Sequence, residues 1–215
     1  MKPVSEKNLA ARLDQLNERI ASACRASGRS SEAITLIGIS KTKPAEDVAA
    51  AHALGLKNFG ENYLQEASGK IDALEGLAAT WHYVGNIQSN KTKEVAKYFD
   101  WVHTVDRNKI AQRLNAQCPT DKTIQVLIQV NIDEDPNKGG CSPRETLHLA
   151  QQMMLLPRIQ IRGLMTILSK DSMPRDSYES VAQLFTAIAA KLPADQQRCW
   201  DTLSMGMTGD LEHAI

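Results

Sequence analysis

Ile34-Thr-Leu-Ile-Gly-Ile-Ser-Lys-Thr-Lys-Pro44 is a short apolar run that stops in polar residues and passes, through a proline, into a helical pattern. The theme recurs along the chain. Apolar runs occupy residues 34–40, 58–60, 81–85, 101–105, 124–132, 159–167 and 200–205. Helical patterns at 44–54, 90–98, 108–117, 143–156 and 177–191 lie between them. Several runs are continuous rather than alternating, as in Val126-Leu-Ile-Gln-Val130. A strand apolar on both faces belongs in a parallel sheet covered by helices. Pro44 and Pro143 suit a first helical turn, where no amide hydrogen is needed. The alternation predicts an α/β fold with right-handed crossovers.

An open doubly wound sheet and a closed barrel both fit that alternation. No GxGxxG or GxxxxGK[ST] follows any strand, which removes support from the nucleotide-binding open sheets. About seven strands can be counted, against the eight of a closed barrel. Ahead of them, Leu9, Leu13, Leu16, Ile20 and Cys24 recur at steps of three and four, predicting an amphipathic leading helix that Gly28 ends.

The chain has 215 residues, 42% of them hydrophobic, enough for one compact domain spanning 1–215. Lys plus Arg and Asp plus Glu are both 25, so the balance gives no overall pull toward nucleic acid or an anionic membrane. Cys24, Cys118, Cys141 and Cys199 form no CxxC pair and no zinc-spaced cluster, as expected for reduced thiols with no metal site. Residues 1–28 are charged and hold no apolar signal core, and no stretch approaches the roughly 18 apolar residues of a membrane span. The expectation is a soluble, cytoplasmic monomer.

In parallel α/β folds, ligands sit at the C-terminal ends of strands. Lys41 closes the first run. An amine in an enclosed barrel mouth is partly desolvated, which favours the neutral form that attacks an aldehyde; the bland alternative is a solvated lysine. Ser204-Met205-Gly206-Met207-Thr208-Gly209 reads as a small anion cradle, with Thr208 capping a following helix, or as an ordinary capped turn. Asn62 is placed to hydrogen-bond a ring substituent or to cap a helix. Glu61 and Glu66 are acid/base candidates, though lone carboxylates are more often surface groups. His82 is as readily a satisfied core histidine as a ligand contact.

Six stretches then carry a resemblance over nearly the whole chain: Gly38-Ile-Ser-Lys-Thr-Lys-Pro44, Phe59-Gly-Glu-Asn-Tyr-Leu-Gln-Glu66, Trp81-His-Tyr-Val-Gly-Asn-Ile-Gln-Ser-Asn-Lys91, Val102-His-Thr-Val-Asp106, Gly163-Leu-Met-Thr-Ile167 and Leu203-Ser-Met-Gly-Met-Thr208. In these the chain resembles the pyridoxal phosphate homeostasis proteins, small relatives of the barrel domain of alanine racemase. The resemblance implies a (β/α)8 TIM barrel of the alanine-racemase N-terminal type. It implies pyridoxal 5′-phosphate (PLP) held as a Schiff base on Lys41, Asn62 near the ring, Ser204 at the phosphate, and Met165 and Met205 packed near the cofactor. Family members continue into a last strand with an Arg-Ile-Gly-Thr motif, its arginine toward the pyridine nitrogen and its amides on the phosphate. Ile215 comes before that motif, so the last strand is expected to lie outside this chain. Asn86 stands where the family often has proline.

The function expected from the resemblance is non-catalytic carriage or regulation of PLP in vitamin B6 and amino or keto acid homeostasis, with PLP-dependent apoenzymes as partners. The alternative is a racemase-like PLP enzyme. Two-base racemisation needs an acid/base group on each face of the substrate; Lys41 serves one face, and the domain that supplies the other in alanine racemase has no counterpart here. A cofactor-free Schiff-base aldolase using Lys41 is a third reading.

Overall fold

A computed structural model describes residues 6–215; the first five residues of the charged 1–28 segment lie outside the described residues. The leading helix α1 (Glu6–Ser27) turns Leu9, Leu13, Leu16, Ile20 and Cys24 away from solvent relative to their neighbours. It ends as the sequence predicts. Gly28 takes φ +69° and Arg29 N–H reaches back to the Cys24 carbonyl at 3.0 Å, satisfying a carbonyl the helix leaves open.

Seven strands follow: β1 (Ile37–Ile39), β2 (Asn58–Glu61), β3 (Thr80–Tyr83), β4 (Trp101–Val105), β5 (Ile124–Gln129), β6 (Ile159–Met165) and β7 (Thr202–Ser204). They pair in sequence order and all in parallel. The connecting helices are α2 (Ala45–Ala53), α3 (Leu64–Ala73), α4 (Thr92–Tyr98), α5 (Asn108–Gln117), α6 (Pro143–Met153), α7 (Pro174–Ala189) and α8 (Ala194–Gln197); α9 (Leu211–Ala214) follows β7. A sheet that never reverses its strand order keeps its crossover helices on one face and curls, the barrel rather than the doubly wound solution. Val126, Leu127 and Ile128 of β5 are fully buried, as a strand covered on both faces requires.

Element ends depart from the sequence reading where pairing is one-sided. The run at 34–40 narrows to Ile37–Ile39, which pairs with β2 alone; ahead of it Ser31–Ala33 forms a 3-10 turn capped by the Ser30 hydroxyl. Pro143 opens α6 at its first turn, behind a capping box between Ser142 and Glu145, whereas Pro44 sits one position earlier, as the cap of α2. Thr208 does not cap the last helix; Asp210 precedes it. Helix α3 is absent from the helical patterns read in the sequence, which took only its first three residues, 64–66, as part of a site motif.

Gly163 fixes the β6–β7 approach. Its φ is +146°, and a Cβ there would lie 2.0 Å from the Thr202 carbonyl oxygen. Gly69, on α3, has open space around the same position. Gly163→Ala is therefore expected to cost roughly 2–4 kcal/mol by forcing the strands apart, while Gly69→Ala stabilises by about 0.5–1 kcal/mol. Urea unfolding midpoints check both.

Candidate functional site

Because the seven strands run in parallel, their C-terminal ends share one rim. β1 delivers Ser40 and Lys41 there, β2 Glu61 and Asn62, β6 Met165, and β7 Ser204 and Met205. The sheet has two chemically different faces at this rim. Glu61 meets Lys70 of α3, so it lies between sheet and helices. Asn58, His82, His103 and Ser204 are joined by hydrogen bonds on the other face, inside the curl.

On the helix side, a buried polar cluster grips the turn that carries Lys41. Ser40 Oγ donates to Glu61 Oε1 at 2.6 Å, and Lys70 Nζ donates to the Ser40 carbonyl at 2.7 Å and to Glu61 Oε1 at 2.5 Å. Lys70 also reaches Glu66 Oε1 at 3.1 Å, the oxygen that accepts Thr42 N–H at 2.5 Å. Residues on either side of Lys41 are thus tethered, and Thr42 is held at φ +61°, a conformation few threonines adopt. Glu61 is 0% exposed and Lys70 6%. An ion pair this deep survives only because further hydrogen bonds compensate its lost hydration.

Lys41 itself is exposed and makes no hydrogen bond or ion pair among the described residues. The desolvated amine expected from sequence is not what the structure shows; the turn lifts the side chain clear of the core. Lys41 follows two residues after Ile39, the last residue of β1 and a large apolar side chain left 48% exposed. Asn62 follows on the next strand. Its peptide lies against Gly85, where a Cβ would come within 2.1 Å of the Asn62 carbonyl oxygen. It caps no helix, and its side-chain Oδ1 is buried with no hydrogen-bond partner.

Across the rim, Met165 pairs with Ser204 in the β6–β7 register. Met165 is buried and Met205 half-buried. Ser204 Oγ lies 2.8 Å from His103 Nδ1. The amide cradle read at 204–209 is partly spent. Gly206 N–H donates to the Tyr178 hydroxyl at 3.1 Å, and Met207 N–H to Asp210 Oδ1 at 2.5 Å. Tyr178 in turn donates to Asp210 Oδ2 at 2.8 Å. An anion arriving at Ser204 meets the hydroxyl rather than a free nest of amides.

Sequence reasoning missed Lys70 and left His103 without a role. For His103 the one signal was a lone histidine in each of two adjacent apolar strands, β3 and β4; Lys70 carried none. Among the described residues, no group of three or more His, Cys, Asp or Glu forms a metal site, and no helix is long and apolar enough to cross a membrane.

Residues 11–214 match the family described as alanine racemase, N-terminal domain. A pyridoxal phosphate homeostasis protein of Pseudomonas aeruginosa is 45% identical, over 96% of this chain and 88% of its own length. That of Escherichia coli K12 is 42% identical, over 97% and 90%. The chain belongs to the pyridoxal phosphate homeostasis protein family. Among solved structures, PipY of Synechococcus elongatus with PLP bound superposes at a TM-score of 0.79 with 32% identity, covering 92% of each chain. Alanine racemase of E. faecalis, 19% identical, matches at 0.60 over 82% of this chain and 48% of the enzyme, a likeness of fold alone.

Two outcomes follow from the buried groups. Lys70→Met leaves Glu61 as an uncompensated buried charge and is expected to cost roughly 3–5 kcal/mol. Adding Glu61→Leu should recover at least half of that loss in urea unfolding, a coupling that independent sites do not show.

Burial holds His82 down at about 4, and burial together with the neighbouring His82 holds His103 at about 3. Both values lie below the unfolded value near 6.5, so the unfolded chain binds more protons in acid. The stability these neutral rings permit is complete above pH 6.5 or so and is lost as pH falls toward their folded values. Unfolding free energy should drop by roughly 2–5 kcal/mol between pH 7 and 4.5, and less in a His82→Gln/His103→Gln variant.

Proposed function

We propose that this chain binds PLP as a Schiff base on Lys41 and acts as a carrier in PLP and amino or keto acid homeostasis, without turnover chemistry of its own. The observation that carries this reading is the Lys41 turn: a free, exposed amine at the barrel rim, on a backbone tethered by buried charges.

The residues present fit the cofactor. Asn62 Oδ1 is a buried acceptor with no partner in the protein, next to the anchor and suited to a ring hydroxyl. The exposed edge of Ile39 offers an apolar surface for the ring. Ser204, with Met165 and Met205 beside it, would hold the phosphate end. When bound, PLP supplies an aldehyde that a primary amine attacks with loss of water, reversibly. Lys41 supplies the amine. The Ser40–Glu61–Lys70–Glu66 cluster keeps its backbone from shifting as the bond forms and breaks, the supporting role that precise sites need.

Carriage rather than turnover is supported by what surrounds the anchor. Lys41 is exposed, so amino acids or apoenzymes can reach the cofactor, and the helix-side carboxylates near it are bonded to Lys70 and Thr42 rather than directed at a substrate. The setting is read as cytoplasmic, the molecule as a monomer, and PLP-dependent apoenzymes as recipients.

The test is the visible spectrum of the purified protein with added PLP, followed by borohydride reduction and peptide mapping. A yellow band and a pyridoxyl adduct on Lys41 are expected, both lost in Lys41→Ala, with PLP affinity about tenfold weaker in Asn62→Ala. A chain that stays colourless in PLP sinks the cofactor reading, and rapid turnover of a free amino acid sinks the carrier reading.

A further inference from the structure

A chain of hydrogen bonds crosses the barrel interior beneath Ser204. Ser204 Oγ lies 2.8 Å from His103 Nδ1, His103 Nε2 lies 2.9 Å from His82 Nδ1, and His82 Nε2 lies 3.0 Å from Asn58 Oδ1. The two rings are 3% and 2% exposed, and His82 stacks on Trp101 with ring centroids 5.7 Å apart. Asn58 stands at the opposite end of the barrel, in a hollow lined by Leu13, Asn17 and Ile34.

The donors can be assigned in order. A carbonyl oxygen only accepts, so His82 Nε2 carries the hydrogen toward Asn58. A neutral imidazole has one N–H, so His82 Nδ1 accepts, and His103 Nε2–H is its donor. His103 Nδ1 then accepts in turn, and the only hydrogen left for that contact is the Ser204 hydroxyl's. Burial that keeps both rings neutral agrees with this order. Without a ligand, Ser204 therefore points its hydrogen inward and shows the rim only lone pairs.

That direction is wrong for a phosphate dianion, which accepts and never donates. Resting on the reading of Ser204 as the phosphate contact, we propose that His103, His82 and Asn58 are positioning residues that set the direction of the Ser204 hydroxyl, and that phosphate capture reverses the whole chain. In the reversed order Ser204 donates to phosphate, His103 Nδ1–H donates to Ser204, His82 Nδ1–H donates to His103 Nε2, and the Asn58 amide turns to donate to His82 Nε2. Each ring exchanges an Nε2 hydrogen for an Nδ1 hydrogen. The net change is one proton entering at Ser204 and one leaving His82 Nε2 at the base, with no change in the charge of the chain. A phosphate monoester that arrives as the monoanion supplies the entering proton and is held as the dianion; water in the hollow beside Asn58 takes the leaving one.

The experiment is side-chain nitrogen NMR of the histidine-labelled protein, free, with PLP and with pyridoxal, which has the aldehyde but no phosphate. Nε2–H rings at both positions are expected in the free protein and with pyridoxal, and Nδ1–H rings at both with PLP. Free rings carrying Nδ1–H overturn the assignment without reference to any ligand. Rings unchanged while the Lys41 band forms with PLP overturn the reversal but leave the cofactor reading intact; no band with either aldehyde removes that reading and the reversal with it. Asn58→Asp, whose carboxylate still accepts from His82 Nε2–H but cannot donate to it, holds the chain in its free direction and should weaken PLP binding roughly three- to tenfold. It should have no further effect in a Ser204→Ala background, whereas a merely structural role for Asn58 predicts additive losses.

Discussion

Parallel pairing in strict sequence order is the constraint on which the rest of the molecule depends. With every neighbour parallel and every crossover of one hand, the helices collect outside and the sheet curls around an interior. Seven strand ends then meet at a single rim, although the residues they carry lie far apart in the chain; Ser204 and His103 are 101 positions apart. No local motif achieves this. Lys41, Asn62, Met165 and Ser204 share a rim because β1, β2, β6 and β7 share a direction.

Both faces of that sheet hold polar chemistry under the rim, and each faces the same cost of leaving water. The helix side solves it with charge. Glu61, Lys70, Ser40 and Glu66 satisfy one another, yet Glu61 Oε2 remains unpartnered, so the cluster is not optimised for stability alone. Its geometry is better explained by what it holds, the backbone on either side of Lys41. The interior solves the same problem with neutral groups whose donors and acceptors match in series. A series has only two complete arrangements, since turning one member leaves a buried group unsatisfied unless all turn. The charged cluster is therefore a fixed clamp, and the histidine chain is a structure with two states.

The architecture was legible in the sequence wherever burial is two-sided. Helix α5 spans the residues 108–117 that its pattern outlined, and β4 the residues 101–105. Legibility failed at β1 and β7, which have a strand on one side only. Three residues of ladder survive from apolar runs of seven and six, because apolar character alone does not extend a strand that lacks a second neighbour. In the site, Lys41 could be picked out because position at a strand end is a local property. Lys70 could not. It looks like an ordinary helix-surface lysine, and only the approach of β1 and β2 to α3 buries it. Thr208 was misread for a related reason, since Asp210, held by Tyr178 from α7, takes the Met207 amide that the turn otherwise leaves open.

Tertiary wiring of this kind also changes the meaning of the leading helix. Its apolar face would suffice to cover the barrel, but Arg19 goes further. Its guanidinium donates to both carboxylate oxygens of Glu212 and to the Thr208 carbonyl, and Arg29 donates to the Ile215 carbonyl. The segment after β7 is thus tied to the first helix as well as to α7. An exposed arginine–carboxylate pair adds little to global stability, but two donors of a rigid fork on neighbouring acceptors fix an orientation. What they orient is the backbone continuing from Ser204. The turn at Lys41 is held by α3 and the turn after Ser204 by α1 and α7, so the two ends of the proposed cofactor site rest on separate supports. Such a division suits the proposed carriage, because the two turns do not depend on the same contacts.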